Sequence, residues 1–412
     1  MRAMKHSGIP WIGEIPAGWR IERIKTIFTE RTELSELGNE ELLSVSEYYG
    51  VDKRASRVDD NETLFRSESL VGYKKCYKGD FVSNIMLAWK GSFGITEYDG
   101  VVSPAYCVYK PSDNIFPKYY HYLFRTSMYT GQFRCYSKGI IDSRLRLYSP
   151  YFYNVSAIIP PIEEQQRIAD FLDQKCGEVD EMVALQEQII EELKAYKQAV
   201  ITEATTHGLN PNATMKPSGI DWIGEIPEGW EIIKVGYIFY ILDYLREPIS
   251  AEQRERNNPQ YDYYGASGVI DKIDHYNVDD KVLLIGEDGA NLVMRNLPLI
   301  YKAEGKFWVN NHAHILKPIK DNYNYLAHVL EAADYRDYIT GSAQPKLSQE
   351  NLRAVKLPVP PISEQQQIAE YLDKKCSEID AMVAIKQEKI EELKEYKKSI
   401  IYEYITGKKE VV

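Results

Sequence analysis

The side chains best placed to do chemistry in this 412-residue chain lie on two Gly-led loops, one late in each half. The first reads Lys138-Gly-Ile-Ile-Asp-Ser-Arg-Leu145, with Arg146 just after it and Arg134 just before. The second reads Thr340-Gly-Ser-Ala-Gln-Pro-Lys-Leu347. Superposing the two Gly-led segments sets Arg144 against Lys346. A guanidinium is a rigid fork that can bond a guanine edge through two N–H groups, an ammonium is a point charge suited to phosphate, and the Gln344 amide matches an adenine edge. Lys90, Ser92, Asp288 and Asn291, on an earlier pair of corresponding loops, are candidates for the same contacts. Taken singly, each also fits a solvated surface group or a loop cap.

Bond-making chemistry finds less support. His312-Ala-His314 places two imidazoles on one strand face, but no nearby Cys or acidic pair completes a metal site, so hydrogen-bonded or groove-facing histidines are expected. No Gly-x-x-x-x-Gly-Lys-Ser/Thr phosphate loop is present, nor a carboxylate-and-lysine nuclease pattern. Five cysteines, odd in number and without close pairing, argue against a disulfide framework and fit a reducing compartment. Without an N-terminal apolar run of signal length or a segment of membrane-spanning length, a soluble cytoplasmic protein is expected. The net charge of −11 is unevenly spread. Residues 160–210 carry 4 basic against 11 acidic side chains, residues 63–159 carry 12 against 6, and residues 231–359 carry 15 against 18. Only the first block has an electrostatic balance that suits a polyanion.

The elements that must hold these loops are duplicated. Residues 160–201 and 360–401 are identical at 25 of 42 positions, and each copy reads as one long helix. Pro-Pro opens it, Glu163 and Glu164 or Glu364 suit its positive end, and apolar residues recur every seven. One row is Leu172, Val179, Leu193 and Val200, answered by Leu372, Ile379, Leu393 and Ile400; the second is Ile168, Met182, Ile189 and Tyr196, answered by Ile368, Met382 and Tyr396. Such a seam needs a helical partner, and the other copy is the obvious one. Gln186 and Lys386 interrupt it at equivalent places, and Cys176 and Cys376 are expected as small packing residues. About 42 residues make a rod of roughly 60 Å, the length of a spacer.

A second duplicated stretch, Gly8 to Trp19 and Gly219 to Trp230, reads as a turn-rich clip with buried indoles. The expected boundaries are a clip plus head over 1–159, a helix over 160–210, a second clip plus head over 211–359, and a second helix over 360–412. The first head reads as α/β or α+β with a small curved sheet, and the second shares its landmarks but not the side chains between them. The expected fold class is therefore α+β: two similar globular domains separated by two long antiparallel coiled-coil helices, pseudo-twofold.

The Pro-Pro-Ile-x-Glu-Gln-Gln-x-Ile-Ala helix, the Trp-Ile-Gly-Glu-Ile-Pro-x-Gly-Trp clip, Ser103-Pro-Ala-Tyr106, Tyr264-Gly-Ala-Ser-Gly268 and Thr340-Gly-Ser-Ala-Gln-Pro-Lys346 together resemble the DNA specificity subunit of type I restriction-modification enzymes. The resemblance implies two target-recognition domains, each reading half of a bipartite site in double-stranded DNA. It also implies helices that bind two adenine-N6 methyltransferase subunits and, through them, motor-nuclease subunits, with S-adenosylmethionine, ATP and Mg on those partners only. A non-catalytic chain agrees with its Pro-Pro pairs. They lie between Ile159 or Val359 and Ile162 or Ile362, not in the Asn/Asp/Ser-Pro-Pro-aromatic loop that an amino-methyltransferase needs. A coiled-coil adaptor holding two protein-binding heads is the alternative, and a self-sufficient methyltransferase or nuclease is the reading with least support.

Overall fold

The computed structural model describes residues 2–47, 49–54, 69–254, 260–341 and 344–411, so Ser342 and Ala343 of the second loop lie outside the described residues. The chain divides into two compact units, residues 1–186 with 389–412, and residues 187–388. Each holds one clip, one head and part of both long helices. Those helices run over Ile162–His207 and Ile362–Ile405. Each starts after the Pro-Pro pair and ends at a glycine in the left-handed region, Gly208 (φ 76°) and Gly407 (φ 72°), where a residue with a Cβ would be strained.

In the first unit a four-stranded antiparallel sheet has the order Phe28–Arg31, Tyr106–Pro111, Phe81–Asn84, Phe93–Ile95. Helices Pro117–Arg125 and Ser127–Tyr136 cover it through an aromatic core of Phe28, Phe81, Phe93, Tyr120, Phe124 and Phe133. In the second unit a larger, six-stranded sheet has the order Phe239–Ile241, Ala313–Pro318, Val278–Gly286, Ile300–Val309, Tyr261–Gly265, Gly268–Ile273. Only the pairing of Ile300–Val309 with Tyr261–Gly265 is parallel among these. Helix Tyr323–Ala332 packs beside it.

The repeated Glu-Gln dipeptide anchors each helix to its head. Gln165 is fully buried; its amide donates to the Pro160 carbonyl at 2.8 Å and its oxygen accepts from the Phe116 N–H at 2.9 Å. Gln365 does the same with Pro360 O at 2.9 Å and Asn322 N at 2.8 Å. The clip indoles complete the joint: Trp19 Nε1 donates to Glu164 at 2.8 Å, and Trp230 Nε1 to Glu364 at 2.7 Å. In the first unit Arg2 adds an ion pair to Glu164.

Within each unit the two helices run antiparallel. In the first, Phe171 packs against Tyr404 with ring centroids 4.4 Å apart while Asp180 meets Lys397. In the second, Lys197 meets Asp380 while Ile201 shares a core with Leu372 and Cys376. Leu172, Val179, Leu372, Ile379, Leu393 and Ile400 are buried, and Ile189 and Leu193 are half-buried. The second row differs from the expected one by a single residue. Met182, Tyr196, Met382 and Tyr396 are exposed, whereas Cys176, Ile190, Cys376 and Ile390 are buried, with Val183 and Val383 between them. Both columns are apolar, but a helix pair buries one narrow stripe, and the 4-3 spacing from Leu172 through Cys176 and Val179 selects the later column. Met182 and Met382 are thus corrected from seam to surface.

Candidate nucleic-acid interface

In the first unit, helix Ser127–Tyr136 brings Arg134 to its last turn, and the one-turn helix Ala88–Lys90 packs against it. Trp89 lies beneath two cations, Lys90 Nζ at 5.3 Å and the Arg134 guanidinium at 5.1 Å from its ring, an arrangement that favours positive charge above the indole face. Arg134 also reaches Asp142 at 2.8 Å. Lys138 and Arg146 exchange both backbone hydrogen bonds at 2.9 Å, and the Leu147 N–H donates to Ile85 O at 2.9 Å. Lys138 Nζ stands 4.8 Å above the Tyr151 ring, and Arg146 folds back on the carbonyls of Ser143 and Leu145. Arg144 is exposed and makes no side-chain hydrogen bond or ion pair among the described residues.

The loops of the second unit follow the same backbone plan. Thr340 pairs with Lys346, the Leu347 N–H donates to Glu287 O at 3.0 Å, and the Gly289 N–H donates to Pro345 O at 2.9 Å. Matching these ladders sets Leu147 against Leu347. Arg146 then stands at the position of Lys346, and Arg144 at that of Gln344. The glycines agree: a Cβ on Gly139 would strike the Arg144 carbonyl, and one on Gly341 the Gln344 carbonyl. The second loop is two residues shorter between these points, which is why superposition from the glycines misplaced Arg144 by two.

The side chains on that shared frame differ. Five cations, Lys90, Arg134, Lys138, Arg144 and Arg146, face one acid, Asp142, in the first unit. In the second, Lys346 lies 3.8 Å from Glu287, which also pairs with Arg246. Asp243 accepts from the Ile315 N–H at 3.0 Å and bonds His314 Nδ1 at 2.6 Å, while His314 Nε2 donates to Leu347 O at 2.9 Å. His314 is thus a buried strut under the loop. Asp288 is exposed and caps helix Gly289–Met294 through the Ala290 N–H. The Asn291 amide is engaged by Leu297, and Gln344 is exposed.

Ser92 is corrected: it is buried and its hydroxyl donates to the Val45 carbonyl at 3.2 Å, so it supports the loop from inside. Among the described residues no group of three or more His, Cys, Asp or Glu could hold a metal ion, and no helix is long and apolar enough to cross a membrane.

The family model of the type I restriction modification DNA specificity domain matches this chain twice, over residues 19–195 and 227–395. The chain belongs to the type I restriction-modification DNA specificity family. A putative type I restriction enzyme MjaX specificity subunit of Methanocaldococcus jannaschii is 24% identical over 96% of this chain and 95% of its own. A putative specificity subunit of Haemophilus influenzae is 32% identical, over 32% of this chain and 34% of its own. Two solved structures share the fold. One, from a study of complex assembly and conformational transition of the type I R-M system, has a TM-score of 0.71 and 17% identity, over 95% of this chain and 98% of its own. The other, the HsdS subunit of Thermoanaerobacter tengcongensis, has a TM-score of 0.53 and 18% identity, with the same coverage.

As a type I specificity subunit, the chain has two target-recognition domains, one in each unit. Sequence reasoning missed Trp89 as the platform under Lys90 and Arg134, and Asp243, Arg246 and Glu287 as the network that holds Lys346. No periodic signal marks these residues. The Trp-Lys pair on a Gly-turned loop was the one available hint.

Proposed function

We propose that each target-recognition domain reads one half of a bipartite site in double-stranded DNA, with Arg144 and Gln344 as the base-reading residues. The supporting observation is their equivalence: two loops built on one backbone plan, each closed over a glycine, present a guanidinium in one head and an amide in the other. A guanidinium suits guanine and an amide suits adenine. Lys90, Arg134, Lys138 and Arg146 supply phosphate attraction around the first reader. Lys346, Asp288 and Asn291 complete the second candidate surface.

The long helices then set the spacer between half-sites and dock two adenine-N6 methyltransferase subunits. In the first unit Met182, Leu185 and Tyr396 are exposed on them; in the second, Met382, Ile385 and Tyr196 are. Like sets of exposed apolar residues, one in each unit, suit two copies of one partner. Motor-nuclease subunits join through that complex. The chain itself is non-catalytic and cytoplasmic, with S-adenosylmethionine, ATP and Mg held by the partners.

The test is the sequence context of methylated adenines in cells that express the chain with its methyltransferase subunits. Arg144→Gln alters one half-site and Gln344→Arg the other. Unchanged motifs in both variants refute the assignment. The acidic surroundings of Lys346 support a second reading, in which the second head binds protein; DNA recognition that survives loss of both Gln344 and Lys346 favours it.

A further inference from the structure

We propose that Ile140 contacts a base: it enters the major groove of the first half-site and packs against the 5-methyl group of a thymine. This rests on the reading of the first unit as a DNA-binding head.

Ile140 is 100% exposed and Ile141 is 54% exposed. Single apolar residues at a surface are ordinary, but this one stands at the tip of a braced loop. The Lys138–Arg146 backbone bridge closes the loop, Arg134 holds Asp142, the Arg146 guanidinium ties down two loop carbonyls, and Leu145 and Leu147 are buried beneath. Gly139 makes the closure possible, because at φ 154° a Cβ there would collide with the Arg144 carbonyl. The tip is therefore held in solvent by its own frame, with the rotamer cost of ordering already met for most of its neighbours.

The chemistry around the tip identifies its counterpart. Lys138, Arg144 and Arg146 flank Ile140 and Ile141, and Asp142 is engaged by Arg134. An apolar tip on a loop that also carries three cations fits a polyanion that carries a recessed apolar group. The major groove of duplex DNA is such a surface: it admits a two-stranded ribbon, phosphates line it, and the thymine methyl is the apolar group on its floor. Arg144, in the one-turn helix Asp142–Arg144 that follows Ile141, is exposed on the same loop and reaches for a base edge in the same groove.

The experiment uses the full chain assembled with its methyltransferase subunits and the duplex to which it directs methylation. Each thymine is replaced in turn by deoxyuridine, which lacks only the methyl group. One replacement in the first half-site weakens binding about 4-fold, the worth of one buried methyl. In Ile140→Ala the same replacement has no effect, and Ile140→Val retains most of the discrimination. Because Ile140 is fully exposed, both variants melt with the wild type. Equal binding of every deoxyuridine duplex overturns the proposal. So does increased 2-aminopurine fluorescence beside the loop, which would mark a wedge between bases, or loss of subunit assembly in Ile140→Ala, which would mark a protein contact. If the complex does not prefer the methylated sequence over a random duplex, the DNA-head reading itself fails and the proposal falls with it.

Discussion

Lys397 donates to both carboxylate oxygens of Asp180 at 2.7 Å, and Lys197, its counterpart in the other repeat, donates to both oxygens of Asp380 at 2.7 Å. Each repeat thus supplies the cation for one pair and the anion for the other. The lysines occupy the seam column that continues from Ile190 and Ile390, so each pair helps to fix register, although partial exposure keeps each worth only about 0.5 kcal/mol. Lys397→Glu is expected to lower the stability of the first unit by about 1 kcal/mol through like-charge repulsion. Adding Asp180→Lys should restore it, a recovery that a double-mutant denaturation cycle would detect.

Gln165 and Gln365 are the least replaceable residues at the helix starts. Alanine leaves a buried carbonyl and a half-buried N–H unsatisfied at each site, at an expected cost of about 1–3 kcal/mol per substitution. Gln→Glu removes the donor to Pro160 or Pro360 and is also destabilising. Urea denaturation at neutral pH measures both, and wild-type midpoints in the alanine variants would show that water satisfies these groups.

Burial pushes the Glu164 carboxyl up, but hydrogen bonds from Arg2 and Trp19 more than offset it and hold the group below the usual carboxylate range. A depressed folded value means that the unfolded chain takes up the proton first as pH falls. The stabilisation is therefore complete above about pH 4.3, the unfolded value, and disappears as pH drops through the folded one. Thermal melts between pH 6 and pH 3 should show a steeper loss in the wild type than in Glu164→Gln. Parallel curves would mean that the pair with Arg2 is not formed in solution.

Arg144 and Arg146 should separate cleanly by experiment. Arg144→Ala removes an exposed, unengaged side chain, so specific affinity falls by about 1–3 kcal/mol with no change in melting. Arg146→Ala releases the Ser143 and Leu145 carbonyls and loosens the loop, so protease nicking near residues 139–145 rises as affinity falls. Titration at several salt concentrations, with limited proteolysis alongside, distinguishes the two.

The duplicated helices, the clips and the α+β heads were legible in the sequence because their determinants are local and occur twice. Pro-Pro, Glu-Gln and the paired tryptophans sit at fixed intervals and contact one another directly in the structure. The seam was legible only to within one residue, because Met182 and Val183, like Met382 and Val383, are both apolar and only packing decides between them. The site was less legible still. Burial of Ser92 depends on Val45, far away in the chain, and the equivalence of Arg144 with Gln344 depends on ladders anchored at Ile85 and Glu287. A loop shortened by two residues conceals that match from any alignment that starts at its glycine.

Replacing residues 231–359 with the corresponding block of another specificity subunit tests the independence of the two heads most directly. Sequencing of methylated adenines in cells that express the chimera with its methyltransferase subunits should show one half-site changed, with the other half-site and the spacer retained. A change in both half-sites, or in neither, would contradict two separate reading heads.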